Sequence, residues 1–236
     1  MRRLSLMICV IFLLMPLAAA APGGSPLDLA LVLAVDVSRS VNDTRYNLQR
    51  DGYAQAFRDP AVIAAIADNA QQGVAVTLVE WSGVSEQSQL VPWTIITDRA
   101  SSERFASAVE ESERRFAGWT SISAALDFSS ELLKDKAVAA RRRVIDVSGD
   151  GSNNNGRPIG EARDEAVAAG ITINGLPILT VEAALDSYYE ANVIGGPGAF
   201  IIPTENFETF AKAIQTKLIR EIADWTLATR LAAGTR

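Results

Sequence analysis

From Leu27 to Val35 the chain is apolar at every position but Asp28, and the run stops at Asp36. A strand with one wet face alternates apolar and polar residues. A run that is apolar throughout has no face to offer water, and so suits a strand buried on both sides within a parallel sheet. Such a sheet needs a covering layer on each face. Helical crossovers between parallel strands supply those layers.

The rest of the chain meets that demand. Ser40-Val41-Asn42-Asp43 reads as a capping box opening a helix that runs to about Arg58 and is closed by Asp59-Pro60, with a shorter helical stretch over 62–69. Strands are predicted over 73–81 and 89–97. The gap between them is too short for a crossover, so the pair is expected to be an antiparallel hairpin. Helical patterns follow at 102–116 and 121–134, a strand at 143–147, a helix at 160–169 and a strand at 171–176. A short final strand at 200–202 and an amphipathic helix over 207–222 complete the pattern, and no internal repeat is present. The expected fold is α/β, a three-layer Rossmann-like arrangement. Its central sheet is mostly parallel with one antiparallel edge strand, and helices cover both faces. Ligands of such sheets sit beyond the carboxyl ends of the strands, which directs attention to the loops after Val35, Val147 and Leu176.

The two ends are read separately. Arg2 and Arg3, the apolar stretch from Leu4 to Met15 and the small residues Ala18-Ala19-Ala20 have the layout of a secretory signal peptide over 1–21. Residues 22–26 read as a linker, 27–225 as the folded domain and 226–236 as a tail. Export would make the location extracytoplasmic, periplasmic or secreted. No second apolar run is long enough to span a membrane once the signal is cleaved. Cys9, the single cysteine, lies inside the leader and does not follow a lipobox. The mature chain therefore has no disulfide to rely on.

Composition narrows the chemistry further. With no histidine and one cysteine, Ser-His-Asp and Cys-His catalysis, His-ligated zinc and Cys-ligated clusters are excluded. Carboxylates, hydroxyls and amides remain, and these hard oxygen donors suit Mg²⁺, Mn²⁺ or Ca²⁺. The net charge is −6, and removing the leader takes away two arginines and no acid, which argues against nucleic acid and anionic membranes as partners.

Directly after the first strand stands Asp36-Val37-Ser38-Arg39-Ser40, a D-x-S-x-S turn. One carboxylate and two hydroxyls on alternate residues can converge on a single hard cation, and neutral hydroxyls leave it charge with which to attract an outside anion. The plain alternative is that Ser40 caps the helix and Asp36 shapes the turn. Two further segments carry matching donors: Thr120 precedes a helix within Gly118-Trp119-Thr120-Ser121, and Asp150 follows a strand within Val147-Ser148-Gly149-Asp150-Gly151. Together, in this order and spacing, the three segments resemble the von Willebrand factor type A family and its metal-ion-dependent adhesion site, and the likeness covers essentially the whole mature chain. It is closest to a signal-peptide-bearing bacterial branch. The resemblance implies one divalent ion, Mg²⁺ or else Mn²⁺ or Ca²⁺, surrounded by Asp36, Ser38, Ser40, Thr120 and Asp150. The three hydroxyls would touch the metal, and the two carboxylates would act directly or through water. It also implies a protein partner whose Asp or Glu fills the remaining position. The third segment departs from the family's usual strand-Thr-Asp-Gly by one apparent extra residue, which leaves Asp146 as the alternative to Asp150.

Other features have plainer readings. Gly151 to Pro158 echoes a phosphate-binding loop but has Arg157-Pro158 where Lys-Ser/Thr is required, so its asparagines are read as turn formers beside the site, with partner contact as the alternative. Trp119 is either an aromatic anchor for a partner or a residue packed beneath its loop. Asp186 to Glu190 and Gly195 to Gly198 are read as a turn-rich connection, and Arg141-Arg142-Arg143 as a solvated charge run at the far end of the sheet. The function expected is an exported, metal-dependent protein-binding module, not an enzyme. A hydrolase using the same ion and a carrier with a vestigial site are the alternatives.

Overall fold

The computed structural model describes residues 26–233, so the expected leader and all but the last residue of the expected linker lie outside the described residues. β1 (Leu27–Asp36) is the middle strand of a five-stranded sheet that also contains β2 (Val74–Trp81), β3 (Gln87–Ile96), β4 (Ala140–Gly149) and β5 (Thr172–Pro177), in the order β3-β2-β1-β4-β5. β1 pairs in parallel with both β2 and β4, and β4 with β5, while β3 closes one edge as the antiparallel partner of β2. The expected hairpin and the expected sheet are both present.

Period-two alternation along β1 feeds two separate cores. Leu29, Leu31, Leu33 and Val35 face α1 (Asp43–Arg58), α2 (Pro60–Asn69), α3 (Arg99–Glu110) and α7 (Phe210–Ala233), packing with Tyr53, Phe57, Ile66, Phe105 and Ile214. Ala30, Val32 and Ala34 face α4 (Ile122–Leu132), α5 (Ile159–Ala168) and the short α6 (Leu185–Tyr188), packing with Ile122, Leu126, Ala166 and Leu185. Each fully buried Val or Leu contributes about 1.5–3 kcal/mol. Breaking β1 would therefore disrupt both layers at once.

Four boundaries differ from the sequence expectation. The cap of α1 is Asn42, whose side chain accepts from the Arg45 N–H, so Ser40 caps nothing and its hydroxyl is free for other contacts. α3 starts at Arg99 because Asp98 and Ser101 form a reciprocal capping box, and after Glu110 the chain is non-helical as far as Ser121. In place of a strand at 200–202 there are isolated bridges, Gly175 with Ile201 and Ile178 with Thr204. There the Phe200 N–H is taken by the Asn174 side chain, and Pro203 has no N–H to pair. The final helix begins at Phe210 and continues to Ala233, into the stretch read as a tail.

Two polar groupings have partners that the sequence does not reveal. The arginines at the start of β4 do lie at the end of the sheet away from the D-x-S-x-S turn, yet each has a partner. Arg141 pairs with Asp28, Arg142 donates to the Glu221 carbonyl and Arg143 to the Ala169 carbonyl. Asp146 points into the first core, its carboxylate 2.8 Å from the Lys217 Nζ of α7. Lys217 also holds Glu221 at 2.5 Å, and Glu221 accepts from Asn174 Nδ2 at 3.0 Å. Asp146, Lys217 and Glu221 are all 0% exposed. The Asp146 alternative is thereby corrected: it belongs to a buried ion cluster joining α7 to the sheet, on the face opposite to that of Asp36 and α4.

Removing the one cation from this cluster leaves two carboxylates buried without a counter-charge, which typically costs 3–5 kcal/mol. Lys217→Met is expected to lower the urea-unfolding free energy by about that amount. A loss below about 1 kcal/mol would mean that the cluster relaxes into water and does not pin α7.

Candidate metal centre

Parallel strands end at the same edge of a sheet, so the turns after β1 and β4 meet there. Asp36 is the last residue of β1, wholly buried, and its Oδ1 accepts the Ser38 N–H at 2.6 Å, closing the turn on itself. That turn aims Ser38 Oγ at Ser40 Oγ, 3.2 Å away, and Ser40 Oγ donates to Asp150 Oδ1 at 2.5 Å. β4 extends to Gly149, so the apparent extra residue of the third segment is absorbed into the strand and Asp150 is the first residue beyond it. The Asp150 N–H in turn faces Asp36 Oδ2 at 3.4 Å.

Thr120 reaches this edge on a segment without regular structure, and specific hydrogen bonds hold it there. The Arg39 N–H donates to the Gly118 carbonyl at 2.9 Å, and the Thr120 N–H to Asn154 Oδ1 at 3.0 Å. The Asn154 N–H returns to the Thr120 carbonyl at 2.9 Å. Asn153 and Asn155 accept from the Ser123 and Val84 N–H groups in the same way. The three consecutive asparagines thus fasten the loop after β4 to its neighbours. The Thr120 hydroxyl faces Gly151, 3.8 Å from where a Cβ on that residue would stand. Ser38, Ser40, Thr120 and Asp150 line one cavity of about 220 Å³, with Trp119 and Glu182 at its rim. Asp36 lies beneath the cavity floor.

Of the five residues selected from sequence, Ser38, Ser40, Thr120 and Asp150 share this cavity and Asp36 supports it from below. Their donor set fits a hard divalent cation. Octahedral sites with bonds of about 2.0–2.1 Å place neighbouring oxygens about 3 Å apart. The Ser38–Ser40 and Ser40–Asp150 contacts, at 3.2 and 2.5 Å, bracket that spacing. Among the described residues no three His, Cys, Asp or Glu side chains gather as a metal cluster, so the hydroxyls must supply much of any coordination here.

The electrostatics point the same way. Burial, reinforced by the Asp150 charge, pushes the Asp36 carboxyl up to about 7. Burial also raises Asp150, with the Ser40 hydrogen bond and the Arg45 guanidinium pulling it back and Glu182 pushing it further up. The nearest protein cation, Arg45, is 3.5 Å from Asp150 and spends its shorter bond, 2.7 Å, on the Ser40 carbonyl. Two buried carboxylates facing one another, with one partly exposed arginine at 3.5 Å from Asp150, favour binding of a further positive charge, proton or cation.

Several contributors escaped the sequence reading. Gln49 Nε2 donates to the Asp36 carbonyl and Arg114 to the Val37 carbonyl, bracing the first turn from α1 and from the segment after α3. Glu182 accepts from the Ser152 N–H and hydroxyl, anchoring the loop that carries Asp150. No local pattern marks these residues, since their partners lie tens of positions away. Arg45 alone stood near a visible signal, in the first turn of the helix that follows the motif.

The family model described as "Protein of unknown function (DUF1194)" matches residues 26–226. No curated protein matches the chain. Solved structures do. Proximal thread matrix protein 1 from the mussel byssus is 15% identical with a TM-score of 0.62 over 84% of this chain and 48% of that one, and a further structure of it has a zinc-occupied MIDAS motif. The chain thus spans about half the length of the mussel protein. The vWF domain of the type V pili tip protein Mfa5 from Porphyromonas gingivalis is 11% identical, with a TM-score of 0.58 over 84% of this chain and 95% of that one. Manganese-loaded TRAP protein from Plasmodium vivax is 15% identical, with a TM-score of 0.54 over 83% and 73%. At these identities the likeness is one of fold: the chain has a von Willebrand factor A-type α/β fold.

A pH dependence follows from Asp36. Its folded value near 7 stands above the ordinary 3.8, so the folded chain holds a proton that the unfolded chain releases across that interval. In chelator the stability contribution is present below about pH 4 and is lost as pH rises through about 7, at up to about 1.4 kcal/mol per pH unit. Urea titrations in EDTA between pH 4 and 8 should show a steeper decline for wild type than for Asp36→Asn. Parallel profiles would remove Asp36 as the source.

Proposed function

Since the chain belongs to the DUF1194 family and is built on a von Willebrand factor A-type fold, we propose that it is a metal-dependent protein-binding module that captures a partner's carboxylate. The observation that carries this reading is the packing of Ser38, Ser40 and Asp150 oxygens at octahedral-edge spacing within a cavity open to solvent. Ser38, Ser40 and Thr120 would be the direct ligands, with Asp36 and Asp150 neutralising and orienting them, directly or through water. The ion is Mg²⁺, with Mn²⁺ or Ca²⁺ as alternatives. Its chemistry when bound is Lewis-acidic: it presents a positive position that an Asp or Glu from outside can fill.

The chain's own residues define what else the partner must offer. Trp119 is 61% exposed and Val181 55%, and both line the rim of the cavity. The Arg39 guanidinium sits 5.7 Å from the Trp119 ring centre, adding positive charge to that rim. A carboxylate followed by an apolar side chain suits this surface, and an exposed Trp is the kind of residue that anchors an interface. Binding is favoured over hydrolysis because both carboxylates are engaged in shaping the ligand turns, Asp36 through Ser38 N and Asp150 through Ser40 Oγ. The reading extends to an exported protein whose domain spans 27–225. No helix among the described residues is long and apolar enough to cross a membrane.

Thermal unfolding tests the metal step. Ligand at a hundred times its Kd stabilises by about 2.7 kcal/mol, roughly 5–10 °C for a chain of this size. Millimolar Mg²⁺ or Mn²⁺ should raise the Tm over EDTA by that order, and the Ser38→Ala, Ser40→Ala double variant should lose the shift. A wild-type Tm indifferent to both ions would overturn the reading. The partner step is tested by capture in Mg²⁺ and release in EDTA, which Trp119→Ala should weaken at least tenfold.

A further inference from the structure

Tyr189 is 0% exposed, yet its hydroxyl has no hydrogen-bond partner among the described residues. Burying an unpaired hydroxyl costs about 1–3 kcal/mol. Packing alone does not account for it, because a phenylalanine would fill the same space without that cost.

The position of the ring gives the hydroxyl a purpose. After α6 the chain widens into a π-turn over Tyr189–Val193, closed by the Ile194 N–H on the Tyr189 carbonyl at 3.0 Å, and this turns Tyr189 inward across the ends of β4 and β5. The ring fits because both strands have glycine there. A Cβ on Gly175 would fall 2.6 Å from Tyr189 Cδ1, and one on Gly149 would fall 2.9 Å from the Tyr189 hydroxyl oxygen. That same point above Gly149 is 3.0 Å from Asp36 Oδ2. The tyrosine hydroxyl and this carboxylate oxygen therefore flank one point beneath the cavity floor, without a hydrogen bond between them.

The two Asp36 oxygens are not equally provided for. Oδ1 accepts the Ser38 N–H at 2.6 Å, whereas Oδ2 meets the Asp150 N–H at a longer 3.4 Å, with the Ser38 hydroxyl also acting on the carboxylate. The under-bonded oxygen is the one on the Tyr189 side. An unpaired buried donor and an under-bonded buried acceptor beside one glycine form an incomplete pair.

We propose that Tyr189 is a positioning residue of the metal centre: once the cation binds, its hydroxyl donates to Asp36 Oδ2, directly or through one water, and fixes which Asp36 oxygen is turned toward the cation. The inference rests on the reading that the cavity holds a divalent ion. It assigns a role to a residue that the D-x-S-x-S, Thr and Asp segments do not include. Outer partners of metal-orienting carboxylates typically carry ten- to a hundredfold in metal affinity.

The test is Tyr189→Phe, which keeps the ring and removes only the hydroxyl. Calorimetric titration with Mn²⁺ should show binding about tenfold weaker than wild type. In EDTA the variant should unfold at the wild-type temperature or above it, since an unpaired buried hydroxyl has been removed. A merely structural tyrosine would give the opposite pattern, with lower stability in EDTA and unchanged Mn²⁺ affinity. Equal Mn²⁺ affinity in a wild type that binds the ion overturns this inference alone. A wild type that does not bind Mn²⁺ overturns the metal reading and this inference with it. Should Tyr189→Phe fail to fold, the aromatic difference spectrum on adding Mg²⁺ to a Trp119→Phe, Tyr188→Phe variant decides: a perturbed tyrosine band supports the role, and an unperturbed one overturns it.

Discussion

Asp36 is a carboxylate carried to the tip of a strand buried on both sides, and much of the surrounding structure answers to that placement. A charge there loses its hydration, which is why burial heads the causes raising its carboxyl toward 7. The molecule supplies partial compensation from several directions: the Ser38 N–H on one oxygen, the Asp150 N–H near the other, and Gln49 on the carbonyl. None of these is a full positive charge. Arg45 comes nearest, and it is directed at the Ser40 carbonyl and, more distantly, at Asp150.

Two acids on the same strand segment meet opposite fates for the same geometric reason. Asp146 and Asp150 are four residues apart, but Asp146 lies within β4 facing α7, while Asp150 lies just past the strand at the sheet edge. Asp146 receives Lys217 as an internal counter-ion, and Lys217 and Asn174 also hold Glu221. Asp150 receives hydroxyls and a cavity. Interior charge meets a counter-ion from within the chain, and the charge at the edge lines a cavity. That division follows from where parallel strands terminate.

The second and third loops show how irregular backbone is held to functional tolerance. Neither the segment before Thr120 nor the loop after Asp150 has regular hydrogen bonding of its own. Asparagine side chains stand in for a sheet ladder, each carbonyl oxygen taking one main-chain N–H of a neighbouring loop. Short amides suit this role because they reach a nearby backbone group at little conformational cost. The run Asn153-Asn154-Asn155 looked like generic turn chemistry and proves to be the clasp between three loops.

The local sequence determined the elements and their order: the unbroken apolar β1, the hairpin too short for a crossover, the alternation of strand and helix, and the D-x-S-x-S turn at a strand end. These are legible because burial, periodicity and short-range turn chemistry act over a few residues. The matching Thr120 and Asp150 became legible only through family resemblance, since nothing local ties them to Asp36. The tertiary structure alone decided that Asp146 belongs to the Lys217 cluster and that Tyr189 turns inward beneath Asp36. Those outcomes depend on which face of a strand meets which helix and on space left by glycines in two other strands. Such facts are long-range, and no window along the chain contains them.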